Sequence, residues 1–261
     1  MIELSYVSSG YGNNTILKDV SVTFEKGQLT SIIGVNGCGK STLLKTVLGA
    51  VPADSGSIRI DGKALDSMSR KEVAQKIAYL SQGKSTPDMT VEQLVLHGRF
   101  PHLSYPRRYT AKDYGLALAA MEQVGIADYA GHPLHTLSGG MRQTAYIAMA
   151  LAQGADYVLL DEPTTYLDIS HQLALMQTLR TLADSGKGIA IVMHDLPIAF
   201  TFSDRIVLLS SGQVIRNDRP EQLCTDPAIR QVFGVSLERS KEENAYHYRY
   251  EIPENVSFRQ P

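Results

Sequence analysis

The stretch Gly34-Val35-Asn36-Gly37-Cys38-Gly39-Lys40-Ser41-Thr42 decides the fold of this chain. It follows a short apolar run, residues 29–33, and opens a helical one, residues 41–48, that stops at Gly49. A strand that feeds a glycine loop and then a helix is the phosphate-loop pattern. The glycines let the backbone curl so that successive N–H groups face a phosphate at the positive end of the helix. In that arrangement Lys40 reaches the β- and γ-phosphates, and the Ser41 hydroxyl meets Mg²⁺. The loop predicts nucleotide binding on an α/β scaffold.

Working outward, residues 2–7 and 16–24 carry strand-like patterning, with Gly10-Tyr11-Gly12-Asn13-Asn14 as the turn between them. Residues 57–60 read as a further β stretch that closes at the hairpin-type turn Asp61-Gly62, and residues 77–80 as a core strand. From about residue 83 to residue 155 the texture turns helical, with helices expected at 90–97, 111–124 and 138–153. A proline-rich connector, Phe100-Pro101-His102-Leu103-Ser104-Tyr105-Pro106, separates the first two. Strands at 157–160, 189–193 and 205–209 then alternate with helices at 169–183 and 196–202. Such alternation implies a mostly parallel sheet covered on both faces. Near the end, Tyr246, Tyr248, Tyr250 and Ile252 alternate with His247, Arg249 and Glu251, the pattern of a late strand.

Composition narrows the function. The chain has 261 residues, 43% of them apolar, and a net charge of −2. Its pI is near 6.4, which argues against nucleic acid as the main partner, because a phosphate backbone demands a concentrated basic surface. No apolar run approaches the length of a bilayer span, and the opening residues have neither the basic nor the apolar region of a secretory signal. With Cys38 and Cys224 alone there is no disulfide framework, and a reducing compartment is expected. Any membrane role must then come through a partner.

Two further stretches carry chemistry. Tyr157-Val158-Leu159-Leu160-Asp161-Glu162-Pro163 is an apolar strand that ends in two acids, at the carboxyl end where α/β ligand sites lie. Asp161 is the candidate Mg²⁺ carboxylate, and Glu162 the candidate general base for an attacking water. On its own, the pair reads equally well as two solvated acids. In Leu137-Ser138-Gly139-Gly140-Met141-Arg142-Gln143, Ser138 can cap a helix whose first N–H groups are exposed.

Taken together these motifs resemble the ATP-binding cassette (ABC) family over nearly the whole chain. The resemblance implies a RecA-like P-loop NTPase fold: a parallel-sheet core, an antiparallel β subdomain and a helical insertion subdomain. It places an ATPase domain at residues 1–235, the insertion at about 83–155, and an extension at 236–261. It implies ATP and Mg²⁺ as cofactors and a sandwich dimer, with ATP closed between one copy's phosphate loop and the other copy's Ser138-Gly139-Gly140. Tyr11 would stack on adenine, although a turn tyrosine can simply pack. Gln82 would sense Mg²⁺ and the attacking water. Asp168 would belong to a loop crossing the dimer interface, with a helix N-cap as the plain alternative. His194 would contact the γ-phosphate.

The stretch from Thr164 to Gln172, His97-Gly98-Arg99-Phe100-Pro101-His102, and Asn36-Gly37-Cys38-Gly39 resemble the branch that serves ferric-siderophore, haem and cobalamin importers. That branch implies a membrane permease dimer, a substrate-binding protein and a peripheral place on the cytoplasmic face of the cell's inner membrane. Closure would pull on the permease through residues 83–106. Cys38, beside a helix N-terminus, either has a lowered pKa or is a small residue that fits. A cytosolic ABC ATPase without a permease is the rival reading, and a small-molecule kinase would leave residues 137–143 and Glu162 unexplained.

Overall fold

The computed structural model describes residues 1–81, 86–165, 167–242 and 245–251. The central layer is a six-stranded sheet in the order β10-β9-β3-β8-β7-β6. Its members are β3 (Leu29–Ile33), β6 (Ile77–Leu80), β7 (Tyr157–Asp161), β8 (Gly188–Val192), β9 (Arg205–Ser210) and β10 (Gln213–Asp218). All run parallel except β10, an antiparallel edge that the sequence reading did not anticipate. Strands β3, β7 and β8 are buried at every position, as a sheet covered on both faces requires.

Two apolar clusters cover those faces. One face meets an antiparallel sheet ordered β2-β1-β4-β5, made of β1 (Ile2–Tyr11), β2 (Asn14–Phe24), β4 (Ala53–Ile60) and β5 (Lys63–Ala64). Between the two sheets lies α1 (Lys40–Val47), whose Leu43, Leu44 and Val47 are fully buried. The Asp61-Gly62 turn takes φ of 49° and 81° at its two residues, the left-handed pair that suits a two-residue hairpin. The other face holds α6 (Ile169–Asp184), α7 (Leu196–Phe202) and the helical layer.

That layer is the expected insertion: α3 (Val91–His97), α4 (Ala111–Gln123) and α5 (Gly139–Ala152) pack on one another. Thr90 and Thr110 close capping boxes with Gln93 and Asp113. A short helix unforeseen in the sequence, α2 (Arg70–Lys76), precedes β6, although Ser69 and Glu72 form its capping box. Beyond β10 come the short helices α8 (Pro220–Leu223) and α9 (Pro227–Phe233), also unforeseen.

The expected late strand forms β12 (Ala245–Glu251), paired with β11 (Ser236–Glu242) in a separate hairpin. Tyr248 is buried against Phe200 with ring centroids 5.4 Å apart, and the Leu196 N–H donates to the Tyr250 hydroxyl at 3.2 Å. Ile252 lies outside the described residues.

Candidate functional site

The loop of residues 34–42 leaves the carboxyl end of β3, in the middle of the sheet. A Cβ at Gly34 would collide with the Leu209 carbonyl oxygen, so only glycine lets the chain turn there. Gly39 takes a φ of 109° against Leu17, another position closed to a side chain. Asn36 and Gly37 are exposed, whereas Lys40 is buried at 5% exposure. The Lys40 ammonium donates to the carbonyls of Gly34 and Val35 at 2.8 and 3.1 Å, so the cation sits inside the curl of its own loop. Thr42 is buried beneath the first turn of the helix.

Sheet register brings the acids to this loop. β7 lies two strands from β3, with β8 between them. Ser41 donates to Asp161 Oδ1 at 2.9 Å, and the Tyr79 hydroxyl donates to Asp161 Oδ2 at 3.2 Å. Asp161 is 3% exposed, and burial pushes its pKa up, against the opposing pull of these two hydrogen bonds. Tyr79, missed in the sequence, is likewise pushed up by burial and then by the charge of Asp161. No spacing rule points to it, because the partnership depends on how β6 and β7 pair.

Asp161 pairs with Val192 on β8, so the residues that follow, Glu162 and His194, emerge side by side. Glu162 Oε1 lies 2.6 Å from His194 Nε2. Glu162 holds a φ of 52°, a left-handed value costing about 1–3 kcal/mol in a non-glycine residue, as is common where a side chain must be aimed.

The remaining candidates lie apart from this cluster. Tyr11, at the end of β1, is 53% exposed. Ser138 caps α5 by accepting from the Met141 N–H at 3.3 Å, and the first turn holds an exposed Gly139 and a half-buried Gly140. A Cβ on Gly140 would reach Leu167 and the His171 ring at 3.5 and 3.6 Å, so α5 starts against the loop that follows Glu162. Asp168 is the N-cap of α6, accepting from the His171 N–H and standing 2.8 Å from His171 Nδ1. The hydrogen bonds from His171, first of all from its backbone, hold the Asp168 carboxyl down to about 2. Among the described residues no hydrogen bond joins residues 138–140 to the phosphate loop. Gln82 lies outside the described residues, as does Tyr166.

The structure decides between the two readings of Cys38. Cys38 is buried, and burial pushes its thiol pKa up, the Lys40 charge and nearby N–H groups opposing with smaller effect. The residue packs in the apolar cluster between the sheets, where its small size is what counts.

A phosphate loop at the end of a central parallel strand, a buried aspartate facing its serine, and a helical insertion define a nucleotide-hydrolysing cassette. The family model described as ABC transporter matches residues 17–165, more than half of the chain. The iron(3+)-hydroxamate import ATP-binding protein FhuC of Bacillus subtilis (strain 168) is 43% identical over 231 residues, 88% of this chain and 86% of that protein. The ferric enterobactin transport ATP-binding protein FepC of Escherichia coli (strain K12) is 40% identical over 228 residues, 87% of this chain and 84% of that protein. Among solved structures, a dimeric bacterial ABC transporter cassette superposes with a TM-score of 0.74 at 28% identity, covering 84% of this chain and 99% of the other. The chain therefore belongs to the ABC transporter family, as its ATP-hydrolysing component.

Proposed function

We propose that this chain is the ATPase subunit of a bacterial importer for ferric siderophores. The observation that carries the reading is the coverage of an iron(3+)-hydroxamate import ATP-binding protein and a ferric enterobactin transport ATP-binding protein at 43% and 40% identity. The site supplies the chemistry. Lys40 and the loop N–H groups bind the phosphates of ATP, Tyr11 offers an exposed ring for adenine, and Glu162 accepts a proton from the attacking water. His194 holds the Glu162 carboxylate in place from the neighbouring strand.

Mg²⁺ fits the residues present. Ser41 and Asp161 bring hard oxygen donors 2.9 Å apart, and among the described residues the buried Asp161 carboxylate accepts hydrogen bonds from neutral hydroxyls alone. No group of three or more His, Cys, Asp or Glu side chains converges on a metal site among the described residues, so phosphate and water would complete the shell. Ser41 and Asp161 would hold the cation, with Gln82 joining them by family resemblance. Bound there, Mg²⁺ neutralises charge developing on the transferred phosphoryl group.

By family resemblance, residues 138–140 at the start of α5 complete an ATP site on a second copy in a sandwich dimer. Dimeric cassettes occur among the structural relatives. Among the described residues no helix is long and apolar enough to cross a membrane. By resemblance to importer ATPases, we assign a permease dimer as the membrane partner, a substrate-binding protein upstream of it, and a peripheral place on the inner face of the membrane. A groove of about 990 Å³ between α2 and residues 100–107 suits the permease contact. Apolar Phe100 and Tyr105 share it with Arg70, Lys71 and Arg107, and Lys71 and Gln75 tie its two walls to the carbonyls of Leu103 and Pro101.

The test is gentle affinity purification of the tagged chain from native membranes. A stoichiometric many-helix permease whose companion binding protein takes a ferric siderophore is expected. A cytosolic partner alone would overturn the importer reading. In parallel, Glu162→Gln should bind ATP, nearly stop hydrolysis and run as an ATP-dependent dimer on a sizing column. A variant that stays monomeric while hydrolysing normally would refute the sandwich.

A further inference from the structure

We infer that Tyr79 is a positioning residue for the cation of the nucleotide site, acting through Asp161. This rests on the proposed ATP–Mg²⁺ reading of that site. Strand β6 pairs with β7 so that Tyr79 lies opposite Leu159. Side chains alternate along a strand, so Asp161, two residues further on, shares the face of Leu159 and Tyr79. The phenol leans along that face and donates to Asp161 Oδ2 at 3.2 Å. Its ring packs against the apolar cluster between the two sheets, which fixes where the hydroxyl points.

The two oxygens of Asp161 thus have different anchors. Oδ1 receives Ser41, which sits on the first turn after the phosphate loop, beside the nucleotide. Oδ2 receives Tyr79, which belongs to the sheet. A carboxylate turns readily about its terminal torsion, which is broad rather than staggered. Magnesium tolerates little departure from octahedral geometry at about 2.0–2.1 Å, so a carboxylate that swings serves it poorly. Tyr79 removes that freedom from the sheet side of the carboxylate. A phenylalanine of the same shape would fill the apolar cluster equally well and leave Oδ2 of a buried carboxylate without its donor.

The decisive variant is therefore Tyr79→Phe, which deletes one oxygen and keeps the ring. Manganese serves as a spectroscopically visible stand-in for magnesium, and its affinity is read by electron paramagnetic resonance in the presence of ATP. We expect Tyr79→Phe to weaken Mn²⁺ binding about tenfold, the lower end for residues that orient a metal ligand. Binding of a fluorescent ATP analogue in EDTA should match wild type, while the melting temperature should fall by a few degrees because the buried Oδ2 loses its donor. At saturating metal, kcat should fall while the KM for ATP holds. Equal Mn²⁺ affinity in Tyr79→Phe and wild type would overturn the inference and leave the ATPase reading intact. A loss confined to Tyr79→Leu, with a lowered melting temperature, would likewise reduce Tyr79 to packing and overturn it. Wild-type protein that binds no Mn²⁺ with ATP would overturn the reading of the site itself, and the inference with it.

Discussion

Asp161 and Asp113 are both buried acids, at 3% and 7% exposure, and they are handled in opposite ways. Asp113 accepts from the backbone N–H and hydroxyl of Thr110 and pairs with Arg99 at 3.1 Å. Those hydrogen bonds, the Thr110 backbone first, hold its pKa down to about 2. Arg99 in turn donates to the carbonyls of Ala152 and Gln153 at the end of α5, and His102 Nε2 lies 2.8 Å from the same Gln153 oxygen. Every charge at this junction has its complement within the chain. Among the described residues Asp161 accepts hydrogen bonds only from Ser41 and Tyr79, two neutral donors, and burial outweighs these and the more distant Lys45 charge. A closed charge balance marks structure, and an open one marks a place for something the chain does not carry.

Breaking the open side should cost function and not fold. Asp161→Asn should lower ATP hydrolysis by about a thousandfold, because losing the cation removes several kcal/mol of transition-state stabilisation. Its melting temperature should match or exceed wild type, since a poorly compensated buried charge is gone. Thermal melts beside phosphate-release assays check both halves, and a clearly less stable Asp161→Asn would contradict the contrast.

Breaking the closed side should do the reverse. Arg99→Ala removes the charge partner of Asp113 and the ties to the end of α5, and should destabilise the fold by about 3–5 kcal/mol, measured by chemical denaturation. ATP affinity of the protein that remains folded should be unaffected. Asp113 also sets an acid limit: its folded pKa lies below the unfolded value, so its contribution is complete above about pH 4 and lost as pH falls through about 2. In Asp113→Asn, acid unfolding between those values should be shallower than in wild type.

The smallest effect belongs outside both acids. Tyr11→Ala should raise the KM for ATP by an amount worth about 1–3 kcal/mol, with a smaller change in kcat. An unchanged KM would mean that the exposed ring does not meet the base.

Legibility in the sequence followed the same divide. The phosphate loop, the strand ending in Asp161 and Glu162, and the cap at Ser138 were readable because each chemistry is written in neighbouring residues. Tyr79 was not, since its meeting with Asp161 is set by the pairing of β6 with β7, far apart in the chain. Arg99 stood out in a motif, but its work on Asp113 and on the end of α5 needed the packed insertion. Sequence alone did not decide between the two readings of Cys38, because helix proximity is visible in sequence and burial is not. Helix α2 escaped notice for its brevity, with only Ser69 and Glu72 to announce it. The parallel core was expected in the right places, and the misses cluster after Leu209, where short elements carry weak periodicity.

Helix α5 is fastened at both ends to different neighbours. Its last turn is locked by Arg99 and His102, and the Gln153 amide grips the carbonyls of Ala74 and Ile77 beside the groove. Its first turn presents Gly139 and Gly140. Fourteen residues make a rod about 21 Å long, at a rise of about 1.5 Å per residue. As a lever hinged at Gln153, a tilt of about 5° swings the glycine end by about 2 Å, which is more than a hydrogen bond can stretch and still hold. Under the proposed importer reading, pressure in the groove and grip on a second copy's phosphate would then be two readings of one angle.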